Sequence, residues 1–296
     1  MYLDGGYLGV DGGWKFNHLK LTSLCGALLS GLGAGKVRLG EGEMDKMQNL
    51  VAIVTGASRG LGRAIALEYA QQGARVVICA RSQSPTGLSG TIDETAKDIQ
   101  DLGGDVLPIY CDVSDEAQVH NMVSQVMEQY GQIDVLVNNA GMMVLGETLL
   151  EIDPPLWDRM MAANLRGPYL TCRNVVPVMM EQKRGSIINI GSRMGSDHSQ
   201  GGGVLYSTSK AAVHMFSFCL ADELREHNIA VNILSPGPLR SEGSAAIPWT
   251  QRDWHLRVDP SVVGPSAVYL ALQNAASFTG QLVVRTEFGE TWGLTG

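Results

Sequence analysis

Leu50 to Gly62 reads LVAIVTGASRGLG. Leu50, Val51, Ala52, Ile53 and Val54 form a short unbroken apolar run, the pattern of a strand covered on both faces in a parallel sheet. Thr55 and the glycines Gly56, Gly60 and Gly62 follow. Ala64, Ile65, Leu67, Glu68, Tyr69 and Ala70 then carry a helical pattern that stops at Gly73. Glycines at a strand-to-helix turn permit positive φ and let the backbone approach a ligand closely. A helix opening there presents unpaired N–H groups and the positive end of its dipole, which suits a phosphate. The stretch reads as a nucleotide-binding βαβ unit. Two other readings stay open at this point. The spacing is Gly-x-x-x-Gly-x-Gly rather than the GxGxxG of the general dinucleotide fingerprint, so a plain tight turn fits too. Gly56-Ala57-Ser58-Arg59-Gly60 also matches the G-x-S-x-G elbow of hydrolases, with Ser58 as nucleophile.

Downstream the pattern alternates. Strands are expected at Arg75–Ala80, Val106–Tyr110, Ile133–Val137, Ser186–Ile190, Ile229–Leu234 and Gln281–Arg285. Helices are expected at Ile92–Leu102, from an N-cap at Ser114 to Tyr130, from Asp153-Pro154-Pro155 to about Met180, at Val204–Glu226 and at Ser261–Leu272. Strands separated by helices imply right-handed crossovers and one doubly wound α/β domain, a seven-stranded parallel sheet with helices on both faces. Ligands of such sheets bind at the carboxyl ends of the strands. The elbow reading fails on position: the hydrolase elbow follows a strand deep in the sheet, whereas Ser58 follows the first strand of the domain.

The chain has 296 residues and 45% hydrophobic content, enough for a large core. A net charge of −8 argues against a nucleic-acid or anionic-membrane surface. Cys25, Cys79, Cys111, Cys172 and Cys219 are scattered without a CxxC pair, as suits free thiols in a reducing compartment, and a cytoplasmic protein is expected. The histidines show no ligand spacing, so no metal site is expected. Residues 1–48 are glycine-rich and without periodicity. They read as a poorly ordered extension, or as a start placed upstream of Met44 or Met47, before a domain over 49–296. Leu21–Gly35 is too short and interrupted to span a membrane. Asp4 and Asp11 precede Lys15 and Lys20, against a signal peptide. Gly33-Ala34-Gly35-Lys36 lacks the first glycine and the terminal Ser/Thr of a P-loop.

A dinucleotide site usually carries an acid at the end of the second strand for the ribose hydroxyl. Ala80-Arg81-Ser82 stands there instead, and Arg59 lies inside the glycine turn. Guanidinium groups pair with phosphate oxygens, so NADP(H) is expected over NAD(H). Tyr206 and Lys210 are four apart on a helical segment and share a face. An ammonium, helped by an oxidised nicotinamide, is expected to lower the tyrosine pKa so that it acts as general acid or base. Alone, such a pair is ordinary surface chemistry. Ser192 after the fifth strand, Asn138, Asn139 and Gly141 after the fourth, and Pro236-Gly237 after the sixth lie at the same sheet edge.

Taken together, Thr55-Gly56-x-x-x-Gly60-x-Gly62, Asp112, Asn138-Asn139-Ala140-Gly141, Asn164, Ser192, Tyr206-x-x-x-Lys210 and Pro236-Gly237 resemble the short-chain dehydrogenase/reductase family from about Leu50 to Gly289. The resemblance implies a Rossmann-type fold and hydride transfer between nicotinamide and a carbonyl or secondary alcohol. It implies that Tyr206 exchanges the proton with the substrate oxygen and that Ser192 holds that oxygen. Lys210 would tune Tyr206 and bind the nicotinamide ribose, and Asn164 would support a relaying water. Gly56, Ser58, Arg59, Gly60, Leu61, Gly62 and Arg81 would hold the cofactor. Asp112 would touch the adenine with Val113 beside it. Ala140 and Gly141 would leave room for the cofactor, Asn138 would brace the central strands at the same site, and Pro236 and Gly237 would face the nicotinamide carboxamide.

Three departures accompany it. Ser192 and Tyr206 lie one residue further apart than the family pattern, with Gly201-Gly202-Gly203 as the place to absorb the extra residue. Ser241 stands where a cofactor-touching threonine is usual, either replacing it or leaving the contact unmade. The last strand ends without Asp-Gly-Gly. The substrate pocket is expected around Met142, Met143, Met194 and the Pro238–Val258 segment with Trp249 and Trp254, with His198 nearby. That suits an apolar carbonyl or alcohol. By family analogy a homotetramer or homodimer is expected through the helices carrying Asn164 and Tyr206. The alternative function is a cofactor-binding sensor or scaffold without turnover.

Overall fold

All five residues of strand β1, Val51–Thr55, are buried, as its unbroken apolar run requires. The computed structural model describes residues 46–81, 88–197 and 203–293. Expectations resting on the N-terminal extension to residue 45, on Ser82, His198, Gly201 and Gly202, and on the side chain of Trp249 lie outside the described residues. Helix α1 (Gly60–Gln71), strand β2 (Arg75–Ala80), helix α2 (Ile92–Asp101), strand β3 (Val106–Tyr110), helix α3 (Glu116–Tyr130) and strand β4 (Val135–Asn138) complete the first half. Helices α4 (Pro154–Met161) and α5 (Gly167–Gln182) follow, joined through a π-helical turn over Ala162–Arg166. The second half holds β5 (Gly185–Ile190), α6 (Val204–Leu224), β6 (Ile229–Ser235), a short α7 (Glu242–Ala245), α8 (Gly264–Ala271) and β7 (Leu282–Val284).

The seven strands form one parallel sheet in the order β3-β2-β1-β4-β5-β6-β7. The order reverses between β1 and β4, and that crevice is where such sheets take ligands. Alternate residues of a strand face opposite layers. Ala52 and Val54 accordingly pack with Ile65, Tyr69 and Leu270 on the α1/α8 side. Val51 and Ile53 pack with Val126, Val175 and Leu224 on the α3/α5/α6 side. Met47, in the segment read as extension, is fully buried in the first of these layers.

Most element ends differ from the sequence reading by a residue or two, but α8 begins three residues late and the helix expected from Pro154 to about Met180 is divided by the π-helical turn. Asp115, not Ser114, caps α3 by accepting the Gln118 N–H, because Ser114 is turned to the Asp112 carboxylate. In place of Asp-Gly-Gly after β7, Phe288 and Trp292 pack on Tyr269 and Phe278, and the Trp292 indole N–H donates to the Val284 carbonyl. The edge strand is thereby closed by an aromatic box instead of a glycine turn.

Candidate active site at the β1–β4 crevice

The chain leaves β1 and β4 side by side, and the two exits are tied together. The Thr55 hydroxyl accepts the Asn139 and Ala140 N–H groups at 2.9 and 3.0 Å and donates to the Val137 carbonyl. The Asn139 carboxamide donates to the Thr55 and Gly56 carbonyls. Gly56 has φ +66°, and a Cβ there would lie 2.8 Å from the Ala140 Cα. A Cβ on Gly62 would lie 2.4 Å from the Asn139 nitrogen. Both positions therefore demand glycine, and the result is a tight backbone cradle beneath the first turn of α1. Leu61 packs its side chain against the α1/α8 core layer, leaving its main chain to the cradle.

Helix α1 receives no side-chain cap from Arg59 and has no acid in its first turn. Its first N–H, at Gly60, donates instead to the Glu242 carboxylate at 3.1 Å. An anion already sits where the helix dipole favours one. A phosphate-bearing ligand fits this cradle in exchange for Glu242, because Gly56, Gly60 and Gly62 carry no side chain and the donors are N–H groups. Beside it, the Arg59 guanidinium donates to the Gly90 carbonyl, so only part of its donor set is free for a ligand. A Cβ on Gly90 would lie 2.7 Å from the Ser58 carbonyl oxygen. Arg81, directly after β2, is exposed.

Asp112 turns one carboxylate oxygen to Ser114. Val113 is buried and meets α5 at Gly167. Asn138 is buried, donates to Asn189 on β5 at 2.9 Å and accepts from Thr171 on α5 at 2.6 Å. Its side chain thus braces the central strands, the role the resemblance implies. Pro236 lends its carbonyl to Arg285, and Gly237 takes φ +77°. Ser241 lies against Gly60 and spends its hydroxyl capping α7.

Ser192, Tyr206 and Lys210 do come together. The Ser192 hydroxyl lies near enough to the Tyr206 phenol to favour its ionised form, so the longer stretch between them does not part them. The Lys210 ammonium lies 5.8 Å from the centre of the Tyr206 ring and donates to the Ile190 carbonyl at 2.7 Å. Burial pushes Lys210 down to about 8. Burial also raises the Tyr206 pKa, and the neighbouring Ser192 hydroxyl only partly opposes it. The expected lowering of Tyr206 is thus not a property of the protein alone, because desolvation of the phenolate outweighs its neighbours.

Asn164 sits in the π-helical turn, a local widening often found at functional sites. Its Oδ1 accepts the Met142 N–H at 2.7 Å, and its Nδ2 donates to the Met142 carbonyl and to Ser209. A Cβ on Gly141 would lie 2.9 Å from Asn164 Oδ1, which requires glycine there. Met142, Met143, Met194, Trp157, Leu156 and Val144 pack around Tyr206, Met160 and Leu205. Trp157 escaped the sequence reading. Trp254 lies elsewhere than expected, lining a groove of about 490 Å³ against α1 with Arg63 and Leu67.

The short chain dehydrogenase family matches residues 50–251. This chain belongs to the short-chain dehydrogenase family. It is 36% identical to an uncharacterized oxidoreductase of Staphylococcus saprophyticus over 82% of this chain and 99% of that one. A short-chain type dehydrogenase/reductase from Mycobacterium marinum superposes with a TM-score of 0.71 at 32% identity, covering 82% of this chain and 96% of that one. A metagenomic short-chain oxidoreductase in complex with NADP superposes at 0.67 with 33% identity, covering 80% and 97%. The fold is the Rossmann-like doubly wound fold of those structures. Among the described residues no helix is long and apolar enough to cross a membrane.

The buried ammonium opposes folding. With the folded pKa near 8 against 10.5 unfolded, the unfolded chain binds the proton more tightly, and stability rises as pH climbs between those values. Lys210→Met is expected to stabilise the protein at pH 7 by about 2 kcal/mol after the loss of the Ile190 hydrogen bond, roughly 5 °C in unfolding temperature. The gain should shrink between pH 8 and 10.5. Calorimetry of both proteins checks this, and a mutant less stable at pH 7 would show the ammonium to be net stabilising.

Proposed function

We propose that the protein is an NADP(H)-dependent oxidoreductase that interconverts an apolar carbonyl compound and its secondary alcohol. The observation that carries it is the convergence of the Ser192 hydroxyl and the Lys210 ammonium on Tyr206, at the sheet edge that also holds the glycine cradle. Bound in that cradle, a nicotinamide dinucleotide supplies or takes up the hydride. Gly56, Ser58, Gly60, Leu61 and Gly62 would hold its phosphates through main chain, with the Gly60 N–H exchanging Glu242 for phosphate. Asp112, Ala140, Gly141, Pro236 and Gly237 border it. Arg81, with the unspent donors of Arg59 and no acid at the end of β2, supports the phosphorylated cofactor. The NADP complex of the metagenomic relative supports the same choice.

Tyr206 gives its phenolic proton to the substrate oxygen in reduction and takes it back in oxidation. Ser192 holds that oxygen through its hydroxyl. The raised pKa keeps Tyr206 protonated at rest, the form that reduction requires. Lys210, cationic below about pH 8, stabilises the phenolate left behind. Asn164, fixed by its bonds to Met142 and Ser209, supports a water that returns the proton through Lys210. Met142, Met143, Met194 and Trp157 form the apolar wall for the substrate. The free thiols Cys79, Cys111, Cys172 and Cys219 support residence in the cytoplasm.

Tyr206→Phe should abolish NADPH oxidation with acetophenone and other apolar ketones while fluorescence titration shows NADPH binding nearly unchanged. Substantial residual turnover would overturn the mechanism. Arg81→Asp should weaken NADPH about tenfold or more and improve NADH, since a charge-assisted phosphate contact is lost and a ribose hydroxyl acceptor gained. An unchanged NADPH/NADH ratio would place the discrimination elsewhere. A second copy of the chain is expected over the α5/α6 face, where Tyr169 and Met215 are 42% and 62% exposed and Met161, Leu165 and Phe216 line a groove of about 610 Å³. Light scattering at micromolar concentration should give a dimer or tetramer that Phe216→Glu weakens, and a monomeric wild type would remove this part of the reading.

A further inference from the structure

Tyr206, Lys210 and His214 follow one another at four-residue steps along α6 and share its inward face. His214 is buried. Its ring lies against the segment that carries Ser192. The Ser192 main-chain N–H donates to Nε2 at 3.3 Å, and Nδ1 lies 3.3 Å from the Ser196 hydroxyl. Two glycines make room for it. A Cβ on Gly191 would lie 2.6 Å from Nε2, and one on Gly195 2.7 Å from Cε1. Because a main-chain N–H can only donate, Nε2 must be the bare nitrogen. The proton then sits on Nδ1 and is given to Ser196. Burial and the nearby Lys210 ammonium hold the imidazole down to about 4, so this neutral form is the one present near pH 7.

We propose that His214 is a positioning residue for the reaction. As a neutral Nδ1–H imidazole it grips the main chain at Ser192 and the side chain at Ser196, and so aims the Ser192 hydroxyl at Tyr206. Ser192 hangs between β5 and a short 3₁₀ turn over Arg193–Gly195, and its own hydroxyl already accepts the Met194 N–H. Those contacts are local to the turn. His214 ties the turn to α6, the helix that carries Tyr206 and Lys210. The inference rests on the reading of Ser192 and Tyr206 as the reacting pair.

Two measurements test it. The ¹⁵N shifts of the imidazole in the wild-type holoprotein should show Nδ1 protonated and Nε2 bare at pH 7. A protonated Nε2 overturns the proposal whatever the variants do. In kinetics with NADPH and acetophenone, His214→Phe should lower kcat about tenfold to hundredfold with KM and NADPH affinity little changed, as a small misplacement of a reacting group does. His214→Gln, which restores an acceptor at the Nε2 position, should recover kcat to within about threefold, and the shorter His214→Asn should not. In a Ser192→Ala background His214→Phe should have no further effect, because the two substitutions remove the same function. Additive losses, or equal kcat for all His214 variants, overturn the positioning role. If Ser192→Ala alone kept wild-type kcat, the fault would lie in the reading of the reacting pair. Should His214→Phe fail to fold, the Gln/Asn contrast and the ¹⁵N shifts still decide.

Discussion

The clamp between Thr55 and Asn139 is the constraint from which the site follows. Where the strand order reverses, β1 and β4 send their chains to opposite sides and a crevice opens between them. One hydroxyl and one carboxamide close its floor. Thr55 takes the N–H groups of the β4 exit, and Asn139 takes the carbonyls of the β1 exit. That holds two backbones so close that Gly56 and Gly62 have no space for a methyl group. The bare turn fixes where α1 begins, and the start of α1 fixes where its positive end points. Glu242 shows that the polarity is felt, since a carboxylate from a segment far along the chain satisfies the Gly60 N–H.

A second line of hydrogen bonds carries this geometry to the reacting groups. Asn138 on β4 bonds Asn189 on β5, and Asn189 bonds Ser217 on α6, while Thr171 on α5 closes the other end. Asn164 pins the loop after β4 through Met142 and reaches α6 at Ser209. Every one of these groups is buried and has its partner, as buried polar networks must if they are to hold a single arrangement. Helix α6 is held from β5 and from the π-helical turn, and these bonds fix the placement of Tyr206 and Lys210.

How far this was legible in the sequence depends on distance along the chain. The strand runs, the glycine spacing and the four-residue step from Tyr206 to Lys210 are local, and local pattern carried them into the structure within a residue or two. Asn139 was visible as part of a motif, but its bond to Thr55 joins residues 84 apart and no period reveals it. The same holds for Glu242 on Gly60, 182 residues away, and for the aromatic box that replaces the expected glycine turn. Ser114 misled because a hydroxyl before a helix serves as a cap only if nothing nearer claims it, and Asp112 does. Trp254 misled because an apolar side chain in a variable segment names no neighbour, and this one packs toward α1.

The pKa of Tyr206 shows the limit most clearly. Sequence places an ammonium one helical turn away, and Coulomb attraction argues for a lowered value. Burial acts on both groups at once, raising the phenol and lowering the amine. Desolvation penalises whichever form is charged, so the protein by itself favours a neutral phenol and weakens its own cation. His214 sits in the same low-dielectric pocket and is held neutral by the same cause, with Lys210 adding to it. The site is therefore arranged around a single positive charge, that of Lys210, kept at the margin of its stability. The groups the protein sets around it are hydroxyls, a carbonyl and a neutral ring, none of which adds a second charge.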